Sequence, residues 1–210
     1  KFKYIIILRN PIELIFTFFR SGRPSRLGID PRYNKPAFKI NRLNNLPVSM
    51  LDMPKKFCQA NPLEKSFLVV EKGLKAYLDS DLLKSKNSCI VPFENYCFET
   101  DKYIKILENF LGTSRTKFTK NEMIKARVPR KKDVDTFSKK ANIIFDNMSK
   151  KYIDRLKNLC LRYENEISDI YSLNLIKKNP KKKIKGFNIN EFSKISAASN
   201  FHRGKRNLNK

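Results

Sequence analysis

The chain has 210 residues, with 45 Lys and Arg against 20 Asp and Glu and a formal charge of +25. This length suits one domain, or one domain with a tail, and excludes disorder of the whole chain because a sizeable core can be buried. The single histidine, His202, and four widely spaced cysteines exclude a His-based catalytic centre and a zinc site, so no metal is expected. The cysteines are expected to be reduced, mostly buried thiols.

The positive charge has two interpretations of similar weight. It favours an anionic partner such as a phosphorylated cofactor, an acidic glycan or nucleic acid. The other interpretation is a bias towards A/T-rich codons, since the chain is crowded with Lys, Asn, Ile, Phe and Tyr. Such a bias would supply solvated lysines without any partner.

A buried strand and a helix are predicted at the start of the chain. Residues 2–8 form a short apolar run with three consecutive isoleucines, which suits a strand buried on both faces of a parallel sheet. Asn10 can cap the following helix, Pro11 suits its first position, and Glu13 falls where a capping-box side chain reaches back. Arg9, at the strand end before unpaired helical N–H groups, is placed to bind a phosphate.

The middle of the chain alternates irregular and periodic segments. From Arg20 to about Pro62 the pattern breaks up around Gly, Pro and Asn turn signals, and so long an excursion is often functional. Asn61 and Pro62 then repeat the cap pattern ahead of a predicted helix, and SCIVPFENY predicts a second short strand.

The remaining segments predict helices and a basic tail. DKYIKILENFLG indicates an amphipathic helix ended by Gly112, and the basic stretch KARVPRKKD precedes a helical region from about Val134 to Leu173. Alternating strands and helices predict an α/β fold. Residues 176–210, with eleven basic residues and one acid, predict a mobile tail beyond a domain of residues 1–175.

The opening segment resembles the sulfotransferase family. The resemblance rests on the apolar strand, Arg9-Asn10-Pro11, the acid Glu13 and the hydroxyl of Thr17 before an aromatic pair. In the family this signature binds the 3′-phosphate of the sulfate donor, adenosine 3′-phosphate 5′-phosphosulfate. The resemblance therefore implies phosphate contacts for Arg9 and Thr17, with Thr where the family usually has Ser.

Later motifs resemble the same family in the same order. Phe93-Glu94-Asn95 stands where the family has a Tyr-Glu-Asp-like triplet, Phe110-Leu111-Gly112 closes the next helix, and LRYENEISDIYSLNL looks like the final helix of bacterial and heparan-type members. KARVPRKKD resembles the basic loop that closes over the 3′-phosphate. Lys125 and Arg127 fit one form of that loop, Arg130 and Lys131 fit another, and both alternatives stay open.

The resemblance implies a P-loop NTPase-like three-layer fold, a parallel sheet flanked by helices. The family's first strand and phosphosulfate loop, a Lys-Ser/Ala-Gly-Thr-Thr-like stretch, have no counterpart here, so the chain is expected to be an N-terminally truncated fragment. The catalytic lysine and base are then expected upstream of Lys1. The complete enzyme would transfer a sulfuryl group to a hydroxyl or amine acceptor by in-line displacement, with adenosine 3′,5′-bisphosphate as the product.

The acceptor is expected to be a small molecule or a glycan that contacts the loop-rich region of about residues 20–61. Arg20, Arg23, Arg26 and Tyr33 lie there, and basic side chains suit an acidic glycan. The two apolar runs at the start are too short for a membrane span, no signal peptide is evident, and a cytoplasmic protein is expected. No pattern specifies the oligomeric state.

Two alternatives belong to other classes. A basic nucleic-acid-binding module would use the Lys-rich tail with interleaved Phe and Tyr as an electrostatic and stacking surface. It ranks lower because no recognition motif is present, and no specific nucleic-acid partner is expected. The other alternative is a non-catalytic remnant that keeps the fold and has lost the chemistry.

Overall fold

The computed structural model describes residues 2–21, 39–40 and 46–177. The strands are β1 (Tyr4–Leu8), β2 (Lys39–Ile40), β3 (Leu46–Pro47) and β4 (Ser88–Pro92), and the helices are α1 (Pro11–Arg20), α2 (Pro54–Gln59), α3 (Pro62–Leu78), α4 (Phe93–Phe98), α5 (Thr100–Leu111), α6 (Thr119–Lys125), α7 (Val134–Asp146) and α8 (Lys150–Ile167). Short 3₁₀ turns lie at Val48–Met50, Asp81–Lys84 and Leu173–Leu175. None of the helices in these ranges combines the length and apolarity that a membrane crossing needs.

The two longer strands form a parallel pair. β1 and β4 run side by side with Tyr4 opposite Ser88 and Leu8 opposite Pro92, and β2 and β3 form a separate small antiparallel pair. Parallel neighbours need a long crossover, which here contains α1 and α3. The described residues therefore form a loosely α/β fold, rich in helix, and the larger three-layer sheet stays a prediction.

The turn from β1 into α1 follows the sequence prediction in part. Asn10 is the N-cap, its side chain accepts a hydrogen bond from Ile12 N at 3.0 Å, and Pro11 opens the helix. The predicted capping box is wrong, because Glu13 does not bond to Asn10 N. Glu13 instead accepts hydrogen bonds from Arg9 and Lys140, whose cationic groups are stronger partners for a carboxylate than a neutral amide.

The predicted bounds of later elements are confirmed where a local signal sets them. Asn61 and Glu64 form a complete capping box at the start of α3. Gly112, with φ of 73°, ends α5 in the left-handed conformation that favours glycine. The second strand is shorter than predicted, because it ends at Pro92 and the letters FENY begin α4.

Two short helices were missed, and one long helical region is divided. The helix α2 buries only Phe57 and α6 buries no residue, so neither shows a helical apolar period. The predicted region from Val134 to Leu173 is split into α7 and α8, with Ser149 as the N-cap of the second helix.

The core lies mainly on one side of the parallel pair. Ile6 and Leu8 of β1 belong to a large buried cluster with α1, α3, α7 and α8. The opposite face of β4 buries Cys89 and Val91 against Tyr103 of α5. The same face of β1 is open, however, since Ile5 and Ile7 are 43% and 63% exposed.

The thiols agree with the expectation from the sequence. All four cysteines are free, three of them are buried, and only Cys58 is exposed. The prediction that the cysteines are mostly buried is therefore confirmed.

Adjacent positions of β1 give a first prediction. Leu8→Ala should lower the free energy of unfolding by about 2–5 kcal/mol, because Leu8 is buried in the main core. Ile7→Ala should cost about 1 kcal/mol or less, since this side chain is exposed. Urea titration of both variants and the wild type measures the difference. A large loss for Ile7→Ala would mean that this face is covered in the chain as it exists in solution.

Candidate functional site

The candidate site lies where β1 and β4 end and the chain turns into helices. Leu8 and Pro92 face each other in the parallel register, so Arg9 and Phe93 leave the sheet side by side. Ligands of open α/β folds bind at the carboxyl ends of parallel strands. This edge is therefore the first place to look for function.

The Glu94 carboxylate joins the two strand ends. Its Oε1 accepts a hydrogen bond from Arg9 Nε at 2.9 Å, and its Oε2 accepts one from Asn10 N at 2.9 Å. The side chain of Glu94 is 5% exposed and that of Arg9 is 29% exposed. Arg9 is thus anchored by a buried group while part of its side chain reaches solvent. We call Arg9, Asn10, Glu13, Glu94 and Lys140 the strand-end cluster.

Glu13 and Lys140 complete this cluster from α1 and α7. Lys140 Nζ donates to both carboxylate oxygens of Glu13, at 2.7 and 2.8 Å, and Arg9 Nη2 lies 3.4 Å from Glu13 Oε2. Arg9 Nη1 makes no hydrogen bond to any residue that the structure describes. Arg9 therefore keeps N–H donors for a further acceptor.

Two asparagines, one after each strand, bind the segment that follows α8. Asn10 Nδ2 donates to Asp169 Oδ2 at 2.6 Å and to Tyr171 O at 3.1 Å. Asn95 Oδ1 accepts a hydrogen bond from Ile170 N at 2.8 Å. The segment after α8 is thus fixed to both strand ends, which holds the candidate site to the helical core.

Burial sets the ionisation of the acidic groups. It raises the pKa of Glu94 from 4.5 to about 7, although the hydrogen bonds from Asn10 N and Arg9 act to lower it, and the nearby Asp169 carboxylate raises it further. Burial also raises the pKa of Asp169. The raised pKa therefore weakens the negative charge that Glu94 places beside Arg9 near neutral pH.

The basic stretch after α6 lies next to this cluster. Arg130 N donates to Cys97 O at 2.6 Å, which attaches the stretch to α4. The guanidinium carbons of Arg9 and Arg130 lie 5.0 and 6.0 Å from the centre of the Phe93 ring. The Phe93 ring is thus a common cation–π partner of two arginines, which adds a second positive charge to this end of the sheet.

The other basic residues predicted for this loop have different surroundings. Lys125 Nζ lies 2.6 Å from Glu122 Oε1, one turn away on α6. Arg127 is exposed and has φ of 55°, and Lys131 is exposed. Of the two alternatives for the phosphate loop, only the one that contains Arg130 has a member that contacts the Phe93 ring, as Arg9 does.

The remaining predicted site residues lie on α1 or beyond it. Thr17 is exposed and follows the buried Glu13 by four residues, so it lies about 6 Å farther along the axis of α1. Arg20 is the last residue of α1 and is exposed. The predicted acceptor residues Arg23, Arg26 and Tyr33 lie outside the residues that the structure describes.

Glu94 and Lys140 are site residues that the sequence reasoning missed. Lys140 lies between Phe137 and Ile144 of α7, three and four residues away, and both of these are buried in the core. A lysine on the apolar face of a helix is a usable signal that it has an acidic partner. Glu94 carries a weaker signal, as a carboxylate placed directly after a buried strand.

The chain was compared with family models, with curated proteins and with solved structures, and none of them matches it. Its function is therefore inferred from the site geometry and from the sequence motifs.

The raised pKa of Glu94 gives a second prediction. The folded chain keeps the Glu94 proton to higher pH than the unfolded chain, so this group makes the free energy of unfolding fall as pH rises from about 4.5 to about 7. Relative to Glu94→Gln, the wild type should lose on the order of 2–3 kcal/mol across this window. Urea titrations at pH 4.5, 6 and 7.5 measure the slope.

Asp169→Asn serves as the control, because it removes a neighbouring carboxylate and leaves Glu94 in place. That variant should keep a falling slope from Glu94, moved to lower pH since one charge that raises the pKa of Glu94 is gone, and should lose only the part of the slope that comes from the raised pKa of Asp169 itself. Parallel curves for wild type and Glu94→Gln would contradict the prediction.

Proposed function

We propose that this chain is the part of a sulfotransferase-type domain that binds the 3′-phosphate of adenosine 3′-phosphate 5′-phosphosulfate. The observation that carries the proposal is the convergence of Arg9 and Arg130 on the Phe93 ring. Guanidinium groups are donors that phosphate prefers. The order of motifs along the chain gives independent support.

In this proposal each residue has a separate role toward the nucleotide. Arg9 and Arg130 supply charge and paired N–H donors to the 3′-phosphate, and the Thr17 hydroxyl donates from the exposed face of α1. The donor, when bound, supplies the sulfuryl group that is transferred to a hydroxyl or amine acceptor. Arg20, Arg23, Arg26 and Tyr33 are proposed to contact that acceptor, with an acidic glycan as the best match in charge.

The open face of β1 supports a larger three-layer parallel sheet. Ile5 and Ile7 alternate with buried residues, so β1 is apolar on both faces, as expected for an inner strand of a parallel sheet. Among the described residues β1 pairs only with β4. We propose that in the complete domain a further strand pairs with the other edge of β1 and a helix packs on this face. These two elements would carry the phosphosulfate loop with its catalytic lysine.

Nucleotide binding gives the third prediction. Adenosine 3′,5′-bisphosphate should bind the wild-type chain at least about tenfold more tightly than adenosine 5′-monophosphate, since only the former carries a 3′-phosphate. Arg9→Ala should abolish this preference, and Arg130→Ala should reduce it, because each removes charge-assisted hydrogen bonds. Isothermal titration calorimetry with both nucleotides measures the ratio of the two dissociation constants.

Arg162→Ala is the matched control for charge. Among the described residues, the guanidinium group of Arg162 pairs with Asp79 and Glu166 and contacts none of the strand-end cluster. Its loss lowers the net charge as Arg9→Ala does but should leave the nucleotide preference unchanged. Equal binding of the two nucleotides by the wild type would overturn the proposal.

Polyanion binding is a second candidate, favoured by the formal charge of +25 and by the eleven basic residues in residues 176–210. A fourth prediction separates polyanion binding from binding of the nucleotide 3′-phosphate. Deleting residues 178–210 should remove salt-sensitive binding of single-stranded polynucleotide and leave the preference for the 3′-phosphate intact. If deletion also removed nucleotide preference, one basic surface would serve both ligands and the Arg9 site would not be distinct.

A further inference from the structure

Arg9 is held by an acceptor that uses only one edge of its guanidinium group. Glu94 Oε1 takes the Nε hydrogen, and Phe93 lies 5.0 Å from the guanidinium carbon. Nη2 approaches Glu13 at the longer distance of 3.4 Å. The Nε edge is thus the firmly bound one, and the terminal nitrogens Nη1 and Nη2 carry the donors that remain.

The second oxygen of Glu94 fixes the backbone beside Arg9. Glu94 Oε2 accepts a hydrogen bond from Asn10 N at 2.9 Å, so one buried carboxylate sets both the side chain of Arg9 and the first peptide after it. A long arginine side chain otherwise samples many rotamers and loses that freedom on binding. Holding it in advance lowers the entropy cost of binding a ligand.

We propose that Glu94 is a positioning residue for Arg9, which it presents to a phosphate through the terminal guanidinium nitrogens. This inference rests on the proposed function, since the phosphate is the 3′-phosphate of the nucleotide. A carboxylate beside an arginine also has an opposite effect, because it neutralises the cation and competes with an incoming anion. The two effects predict changes of opposite sign when Glu94 is altered.

Two substitutions of Glu94, one that removes its charge and one that shortens its side chain, decide between positioning and neutralisation of Arg9. Glu94→Gln removes the charge, and its NH2 group would face one of the two donors, Arg9 Nε or Asn10 N, that a carboxylate oxygen now accepts from. Positioning therefore predicts binding of adenosine 3′,5′-bisphosphate weaker by roughly tenfold to a hundredfold, whereas neutralisation predicts tighter binding. Glu94→Asp keeps the charge but has a side chain one methylene shorter. Positioning therefore predicts weaker binding here also, whereas neutralisation predicts no change in affinity.

Glu71→Gln is the matched control. Glu71 is a buried carboxylate that pairs with a partly exposed arginine, Arg155, as Glu94 pairs with Arg9, but it lies outside the strand-end cluster. The affinity of this variant for the bisphosphate should stay within about threefold of the wild type. A loss as large as that of Glu94→Gln would overturn the specific role of Glu94.

A spectroscopic readout on the unliganded chain makes the test independent of binding. The Arg9 Nε–H resonance, assigned by its disappearance in Arg9→Lys, should exchange slowly with water in the wild type and in Glu71→Gln. It should exchange rapidly in Glu94→Asp if the carboxylate positions Arg9. An unchanged Nε–H signal in that variant would overturn the inference.

The outcomes keep the two proposals distinguishable. If the wild type shows no preference for the 3′-phosphate but loses Nε–H protection in Glu94→Asp, the nucleotide proposal fails while Glu94 still positions Arg9. If the preference is present and Glu94→Gln binds more tightly, the nucleotide proposal stands and positioning is wrong. Thermal unfolding of every variant identifies any that do not fold, and Glu94→Asp, which keeps the charge, decides if Glu94→Gln does not fold.

Discussion

The Glu94 carboxylate is the contact on which the geometry of the strand ends depends. It lies at the start of α4 and bonds to Arg9 and Asn10 at the end of β1, so it links two segments 84 and 85 residues apart in the chain. Without it, the parallel register would still align the strands, but the direction in which each chain leaves the sheet would be less constrained. The Glu94 carboxylate thus fixes the Arg9 side chain, the N-cap Asn10 of α1 and, through Arg9, the cation–π contact with Phe93.

Stability alone is a poor reason for such an arrangement. Taking carboxylates out of water costs several kcal/mol per ion, and well-packed apolar side chains often serve equally well. Glu94 and Glu13 are nonetheless buried beside Arg9, which is partly exposed. Strongly shifted pKa values in a polar cluster at a sheet edge are typical of functional sites, although structural ion networks also produce them. The partial exposure of Arg9 favours a role in binding.

Local signals in the sequence predicted the elements that depend on local chemistry. Asn10 and Pro11 indicated the start of α1, Asn61 indicated the start of α3, and Gly112 indicated the end of α5, because caps act through neighbouring backbone groups. The capping box at Glu13 failed because a lysine 127 residues away competes for the same carboxylate. No pattern within α1 encodes that partner.

The candidate site divides in the same way between local and distant causes. Arg9 and Thr17 follow from one strand and one helix, so their positions could be predicted from the motif alone. The roles of Glu94 and Lys140 depend on how β4 and α7 pack against α1, which is a tertiary relation. Arg130 is intermediate, since the basic stretch is visible in the sequence but only the hydrogen bond from its backbone to Cys97 O brings it beside Phe93.

The exposed face of β1, with Ile5 and Ile7, raises the question whether the strand-end cluster can form without a cover on that face. Two parallel strands have little stability of their own, so the sheet depends on the helices packed against it. The main core lies on the side of Ile6 and Leu8, together with α1, α3, α7 and α8. All five residues of the strand-end cluster come from elements that belong to this side or that directly follow the two strands. A cover over Ile5 and Ile7 is therefore not needed to hold Arg9 in place, and the strand-end cluster should form even where the other face of β1 is bare.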